Sequence, residues 1–357
     1  MMTQSSCSPV PVPSPKVPAR RSPPRPILAP DHVHRYVESL LGDDFHAKRV
    51  LSLANGVVGV IHAAALAVHF IGEGLATATG ADPKHAIKQV DRLLSNSAVS
   101  VGVFFARWVP FLVGQRKAIR VALDWTEFDK DGQTTIALYL LTKHGRATPL
   151  IWKTVRKSEL KDRQGKYEDE VIERLHEVLD PTVSVTLLAD RGFGSQERYE
   201  QLNVLGIGFV IRFREDILVE TEDGESRPAA AWVPKNGRAK MLRNAKVTGD
   251  RTPVPAVVCM KAAGMKDAWC LASNRKELSP KQIVALYGRR FTIEISHSSC
   301  GPRHSDLRAR EPFFRAPAEL GSYSKRAKTG QFLCVSVDRP GLARVFLDAP
   351  RAYPAAA

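Results

Sequence analysis

Two runs of strand-forming residues, each ending on a carboxylate, limit what this chain can become. The first is Ile119-Arg120-Val121-Ala122-Leu123-Asp124, followed by Trp125-Thr126. The second is Val183-Ser184-Val185-Thr186-Leu187-Leu188-Ala189-Asp190. Both are of strand length and rich in β-branched and aliphatic residues. A carboxylate set against an apolar core is costly unless it is paired, hydrogen-bonded or bound to a cation. Asp124 and Asp190 at neighbouring strand ends therefore predict a cation held between them. Glu294, on a helix predicted much further along, is the third candidate. In a chain of formal net charge +15, such a trio points to phosphodiester chemistry and a polyanionic partner.

The rest of the composition narrows the classes. Hydrophobic residues make up 44% of the chain, enough for a substantial core. The five cysteines, Cys7, Cys259, Cys270, Cys300 and Cys334, form no CxxC pair and no zinc spacing with histidine, so a reduced cytoplasmic setting is expected. Residues 1–30 are rich in Pro and Ser and carry Lys16, Arg20, Arg21 and Arg25 without a balancing acid. They predict a disordered basic tail rather than a signal peptide. The apolar stretch from Val57 to Ile71 is broken by His62 and His69 and is too short for a membrane span.

The chain then changes period twice. Residues 31–115 read as helical, with Asp31 as a cap and an amphipathic, basic-faced segment from Lys84 to Leu94. This part is either a small DNA-binding domain or a helical lid packed on the domain after it. From 116 onward, a strand ending at Asp124, a second at Thr134–Thr142 and a third at Ala147–Val155 predict an antiparallel meander. Helix 168–179, the strand ending at Asp190, helix 196–205 and strand 208–213 come next. That order predicts an α/β fold: a ribonuclease H-like mixed sheet with flanking helices. Residues 215–268 read as a β-rich insertion subdomain, and residues 269–273 as a further core strand. Ser279-Pro280-Lys281-Gln282 is a helix start with a capping box. On the helix it opens, Tyr287, Arg290 and Glu294 are spaced to share one face.

With these blocks in place, the chain resembles the DDE transposases of bacterial insertion sequences, in the insertion-sequence-four branch. Three blocks carry the resemblance: Leu123-Asp124-Trp125-Thr126, Ala189-Asp190-Arg191-Gly192-Phe193, and Tyr287-Gly288-Arg289-Arg290-Phe291-Thr292-Ile293-Glu294. The last matches the branch's Tyr-x2-Arg-x3-Glu signature. The resemblance runs from about residue 31 to 294. It implies that Asp124, Asp190 and Glu294 bind two divalent ions, Mg2+ or Mn2+. It also implies that Tyr287 and Arg290 contact DNA phosphate. Arg191 either contacts phosphate or anchors its loop. The implied partner is double-stranded DNA, as terminal inverted repeats and as target, acted on by a dimer in the cytoplasm at the nucleoid, with no membrane association. In this branch a tryptophan near the insertion can hold a flipped base; Trp232 is either that residue or a core residue.

The departure from the signature is equally specific. The branch continues with a Lys seven residues after the Glu, where this chain has Gly301 followed by Pro302, a pair through which no helix continues. Residues 295–357 therefore read as an irregular tail, either frameshifted (or joined from unrelated sequence) or a divergent C-terminal domain. Three functions stay open: a transposase, defective if the tail is foreign; a catalytically dead DNA-binding remnant; or a ribonuclease H-like nuclease without strand transfer.

Overall fold

The computed structural model describes residues 29–128, 132–142, 147–291 and 293, together with the backbone of two strands at 332–338 and 342–348. The expected basic tail through residue 28, Glu294, and the Gly301-Pro302 break lie outside the described residues.

Five helices come first: α1 (Pro30–Leu41), α2 (Ala47–Ala63), α3 (Val68–Thr79), α4 (Pro83–Leu94) and α5 (Val101–Val113). Pro30, not Asp31, opens α1. Its fixed φ and missing N–H suit the first helical position, and Asp31 falls in the first turn. Val33, Val37 and Leu41 recur every fourth residue and are buried. Asp82 and Ser100 cap α4 and α5 by accepting from the backbone N–H groups of His85 and Val103. α2 and α3 cross closely: a Cβ on Gly59 would collide with the Ile71 carbonyl, so only glycine fits there. The two helices are bent by 94° relative to each other, and among the described residues no single helix is long and apolar enough to cross a membrane. α5 joins the helices to the sheet. The Trp108 indole donates to the Pro149 carbonyl at 3.1 Å, and the Phe105 ring meets Trp152 edge-on at 4.8 Å.

The sheet begins with β1 (Ala118–Phe128), β2 (Gln133–Leu141) and β3 (Ala147–Arg156), an antiparallel meander. After α6 (Gln164–Val178), β4 (Ser184–Ala189) lies parallel to β1. After α7 (Gln196–Val204), β5 (Gly208–Phe213) lies parallel to β4. Next come β6 (Leu218–Glu220), β7 (Ser226–Pro228), β8 (Lys240–Val247), β9 (Thr252–Met260) and β10 (Trp269–Ser273). All ten strands form one mixed sheet in the order β3-β2-β1-β4-β5-β10-β9-β8-β6-β7. The residues read as an insertion thus supply β6 to β9, which extend the same sheet outward from β10. α8 (Pro280–Gly288) packs on this sheet through Ile283 and Tyr287, both buried. The chain described is therefore mixed α/β, a large mixed sheet with helices.

Three expectations are corrected. β1 does not stop at Asp124: it continues to Phe128, because β2 keeps pairing with it down to Phe128↔Gln133. What stops there is the parallel β1–β4 ladder, whose last pair is Leu123↔Ala189. The second concerns the last helix, which is interrupted: after Gly288 it tightens into a 3-10 turn at Arg289–Phe291, and Ile293 beyond the turn is again helical. Such tightening at a helix end gives the last carbonyls i→i+3 partners; here the Arg289 N–H bonds the Leu286 carbonyl. The tail read as irregular contains two antiparallel strands, β11 (Phe332–Asp338) and β12 (Leu342–Asp348).

Candidate active site

Asp124 and Asp190 are the next residues beyond the last β1–β4 pair, so the register brings them side by side on one face of the sheet. β5 adds to the same face. Leu188 pairs with Val210, and two residues further along β5 stands Arg212. Across this row comes the end of α8. Its start is fixed by the expected capping box: Ser279 Oγ accepts from the Gln282 N–H, and Gln282 Oε1 accepts from the Ser279 N–H at 2.8 Å.

Tyr287 and Arg290 meet the two carboxylates. The Tyr287 hydroxyl donates to Asp190 Oδ1 at 3.0 Å, and its ring is held edge-on by Trp269. One guanidinium nitrogen of Arg290, Nη2, donates to Asp124 Oδ1 at 3.2 Å and lies 3.7 Å from Asp190 Oδ2. The Arg290 side chain is only 9% exposed, so this charge is held in a poorly solvated place. The Arg191 backbone N–H donates to Asp190 Oδ1 at 2.8 Å, while its side chain is exposed.

The surroundings split the two acids. Burial pushes the Asp124 carboxyl above its ordinary value, and the nearby Asp190 charge adds to this, only partly offset by Arg290. Burial pulls Asp190 the same way, but the Arg191 N–H, Arg290, the Tyr287 hydroxyl and Arg212 together outweigh it and hold this carboxyl below its ordinary value. The Tyr287 phenol is pushed up by burial and by the Asp190 charge, so it stays a donor.

Some of this was not foreseen in the sequence. Arg212 lies 3.8 Å from Asp190 Oδ1 and 3.6 Å from Asp267 Oδ2, and donates to the Ala268 carbonyl at 3.2 Å. The signal was available: an arginine two places past an apolar residue in a buried strand must face the same way as that residue. A second network stands behind Asp124. The Trp125 indole donates to Glu168 Oε1 at 2.8 Å, and Glu168 Oε2 accepts from Arg198 at 2.9 Å, with both charged side chains almost wholly buried. Trp232 is buried, with Arg227 and Lys240 placed over its ring, which fits the core reading of this residue.

Among the described residues, no three His, Cys, Asp or Glu side chains come together as a metal cluster. Asp124 and Asp190 nonetheless converge on one positive group, the Arg290 guanidinium. Two hard carboxylate oxygens facing a shared cation suit a divalent ion of the Mg2+ or Mn2+ kind.

Comparison with known proteins adds a family. The family model described as a transposase DDE domain matches residues 163–313, a span that contains Asp190, Arg212, Tyr287 and Arg290. No curated protein matches the chain. Among solved structures, two of Marinitoga piezophila Argonaute resemble it faintly. One is in complex with a 5′ OH guide RNA (8% identity, TM-score 0.21), the other with guide RNA and target DNA (10% identity, TM-score 0.22). Each match covers 59% of this chain, and the chain spans only 31% and 30% of those proteins. The matched domain supports a DDE transposase, a class that implies a DNA partner.

Proposed function

We propose that this chain is a DDE transposase of the insertion-sequence-four branch, built on a ribonuclease H-like plan, that cleaves DNA at element ends and joins it to target DNA. One observation carries the reading: Asp124 and Asp190 stand side by side beyond the last β1–β4 pair and share the guanidinium of Arg290. The acidic set is Asp124, Asp190 and, from the resemblance, Glu294, which would hold the divalent ions. When bound, such ions lower the pKa of an attacking water and stabilise the leaving oxygen of an in-line displacement.

The chain's own residues have separable tasks. Asp190, held anionic by the Arg191 N–H, the Tyr287 hydroxyl and two arginines, is the ready oxygen ligand. Asp124, less willing to ionise, completes the pair once a stronger cation than Arg290 is present. Arg290 and Tyr287 are donors that can exchange carboxylate oxygens for phosphate oxygens, the guanidinium by its fork and the phenol by a single bond. Arg212 ties Asp190 to the start of β10 and so fixes its loop.

The experiment is nicking of supercoiled plasmid carrying element ends in the presence of Mn2+, with Asp190→Ala as control. Wild-type nicking that the variant lacks, with DNA binding retained by both, supports the reading. Equal nicking by both sinks the assignment of the acidic pair. One sequence feature favours a second reading, a remnant that binds DNA without cutting it: Gly301-Pro302 stands where the branch has a helical Lys. That reading predicts a DNA shift by both proteins and nicking by neither. Translating the other frames beyond the Glu294 codon tests its cause. A frame that restores a helix with Lys seven residues past the Glu identifies a frameshifted copy.

A further inference from the structure

The face of the sheet that carries Asp124 also carries Arg120, four residues earlier on β1 and therefore pointing the same way. Its register partner on β4 is Thr186. Arg275, just past β10, reaches back across β5 to the same place and donates from Nη1 to Thr186 Oγ1 at 2.6 Å. It lies so low over the sheet that a Cβ on Gly208 would come within 2.8 Å of its Cδ. Glycine at 208 is what lets this arginine cross. Arg289, exposed in the 3-10 turn after α8, adds a third guanidinium: burial first, then the charges of Arg289 and Arg275, disfavour the charge on Arg120.

Three arginines gathered on one face repel each other, and the opposing charge there is small. Arg275 is paired with Glu277. Arg120 and Arg289 are exposed, and their side chains have no hydrogen-bond or ion-pair partner among the described residues. Such an arrangement is stable in water but suits a polyanion far better. Four residues of strand separate Arg120 from Asp124 by roughly 13 Å, about four nucleotide steps along a duplex axis.

We propose that Arg120, Arg275 and Arg289 form a phosphodiester cradle that holds the DNA backbone a few nucleotides from the strand being cut. The proposal rests on the DNA-acting reading above and adds the path by which the backbone leaves the acidic pair. Arg275, fixed by Thr186 and Glu277, supplies the floor. Arg120 and Arg289 supply the two unpaired charges that take phosphate partners when DNA arrives. Contacts of this kind position the duplex and carry no sequence information.

The test uses the full chain and a fluorescent random-sequence duplex, with binding followed by anisotropy over a range of salt concentrations. The double variant Arg120→Gln/Arg289→Gln should bind roughly tenfold more weakly, and its log–log salt slope should fall by about 1.8, near 0.9 for each phosphate released. Arg120→Lys/Arg289→Lys keeps the charge and should keep the slope, which guards against a folding defect, as does an unchanged Tm. Equal slopes for the Gln variant and wild type, or no duplex binding by wild type, overturns the cradle. The readout needs no cleavage. Failure to nick therefore counts against the proposed transposase reaction, while the salt slope alone decides the cradle.

Discussion

Arg290 donates to Asp124 across 166 positions of sequence. The bond closes the turn after α8 onto β1 and leaves one cation serving two carboxylates. Replacing Arg290 by Gln should leave Asp124 and Asp190 facing each other without that charge, a loss of about 1–3 kcal/mol for a hydrogen-bonded charged group. Mg2+ should restore part of it. We expect thermal unfolding of Arg290→Gln to start from a lower Tm than wild type and to rise more on adding Mg2+. A Mg2+ response no larger than that of wild type would count against a cation site between the two acids.

The two aspartates should respond to pH with opposite signs. Asp124 has a raised folded pKa, so the stability it contributes is present below its unfolded pKa and lost as pH rises through the folded one. Asp190 has a lowered folded pKa, so its contribution is present above the unfolded pKa and lost as pH falls through the folded one. Near neutral pH, Asp124→Asn should therefore raise the Tm and Asp190→Asn should lower it. The Asp124→Asn difference should shrink once pH drops below the ordinary aspartate value of about 3.9, whereas that of Asp190→Asn should persist further into acid. Circular dichroism melts across this range read both. The same sign for both variants at neutral pH would contradict the electrostatic asymmetry.

The Glu168–Arg198 pair offers a test of the scaffold behind the site. Both side chains are almost entirely buried, so removing one strands the other. Arg198→Ala should cost about 3–5 kcal/mol in urea unfolding, well beyond an ordinary surface change. Because the Trp125 indole bonds the same Glu168, its fluorescence should shift in the variant even under native conditions. A cost below about 1 kcal/mol, on the scale of an exposed pair, would show that water reaches the site.

Tyr287 should matter in proportion to one hydrogen bond. Tyr287→Phe keeps the ring against Trp269 and removes only the donor to Asp190. The acceptor is a charged carboxylate, so we expect a stability loss of about 1.5–3 kcal/mol. The Asp190 pKa should move upward at the same time, measurable by carbon-detected NMR of the carboxyl. An unmoved carboxyl would mean that the phenol bonds elsewhere in solution.

Much of this architecture could be read from residue patterns because the relevant signals are local. β5, β9 and β10 begin and end where their apolar runs do, and Ser279 to Gln282 fixes the start of α8. The end of β1 was misplaced because hydrophobicity stops at Leu123 while backbone pairing does not; β2 holds Trp125 to Phe128 in the sheet whatever their polarity. The nearness of Asp124 and Asp190 was legible from two apolar runs that each close on an aspartate. Strand alternation gave the face of Arg212 but not its partners, and the Glu168–Arg198 pair was hidden altogether, because each depends on which elements become neighbours. The joining of the insertion to the main sheet was hidden for the same reason, since it is set by the register of β10.

The position of β10 has a further consequence for how the protein is made. It lies between β5 and β9 although it is synthesised after both. Until the ribosome has delivered Trp269–Ser273, β5 and β9 each present a long unpaired edge, and a chain released before that point would keep them. Open edges of this kind recruit other strands. Messages that terminate between β9 and β10 should therefore yield aggregates rather than shorter competitors of the intact protein, whereas those that terminate soon after Arg290 leave both edges closed.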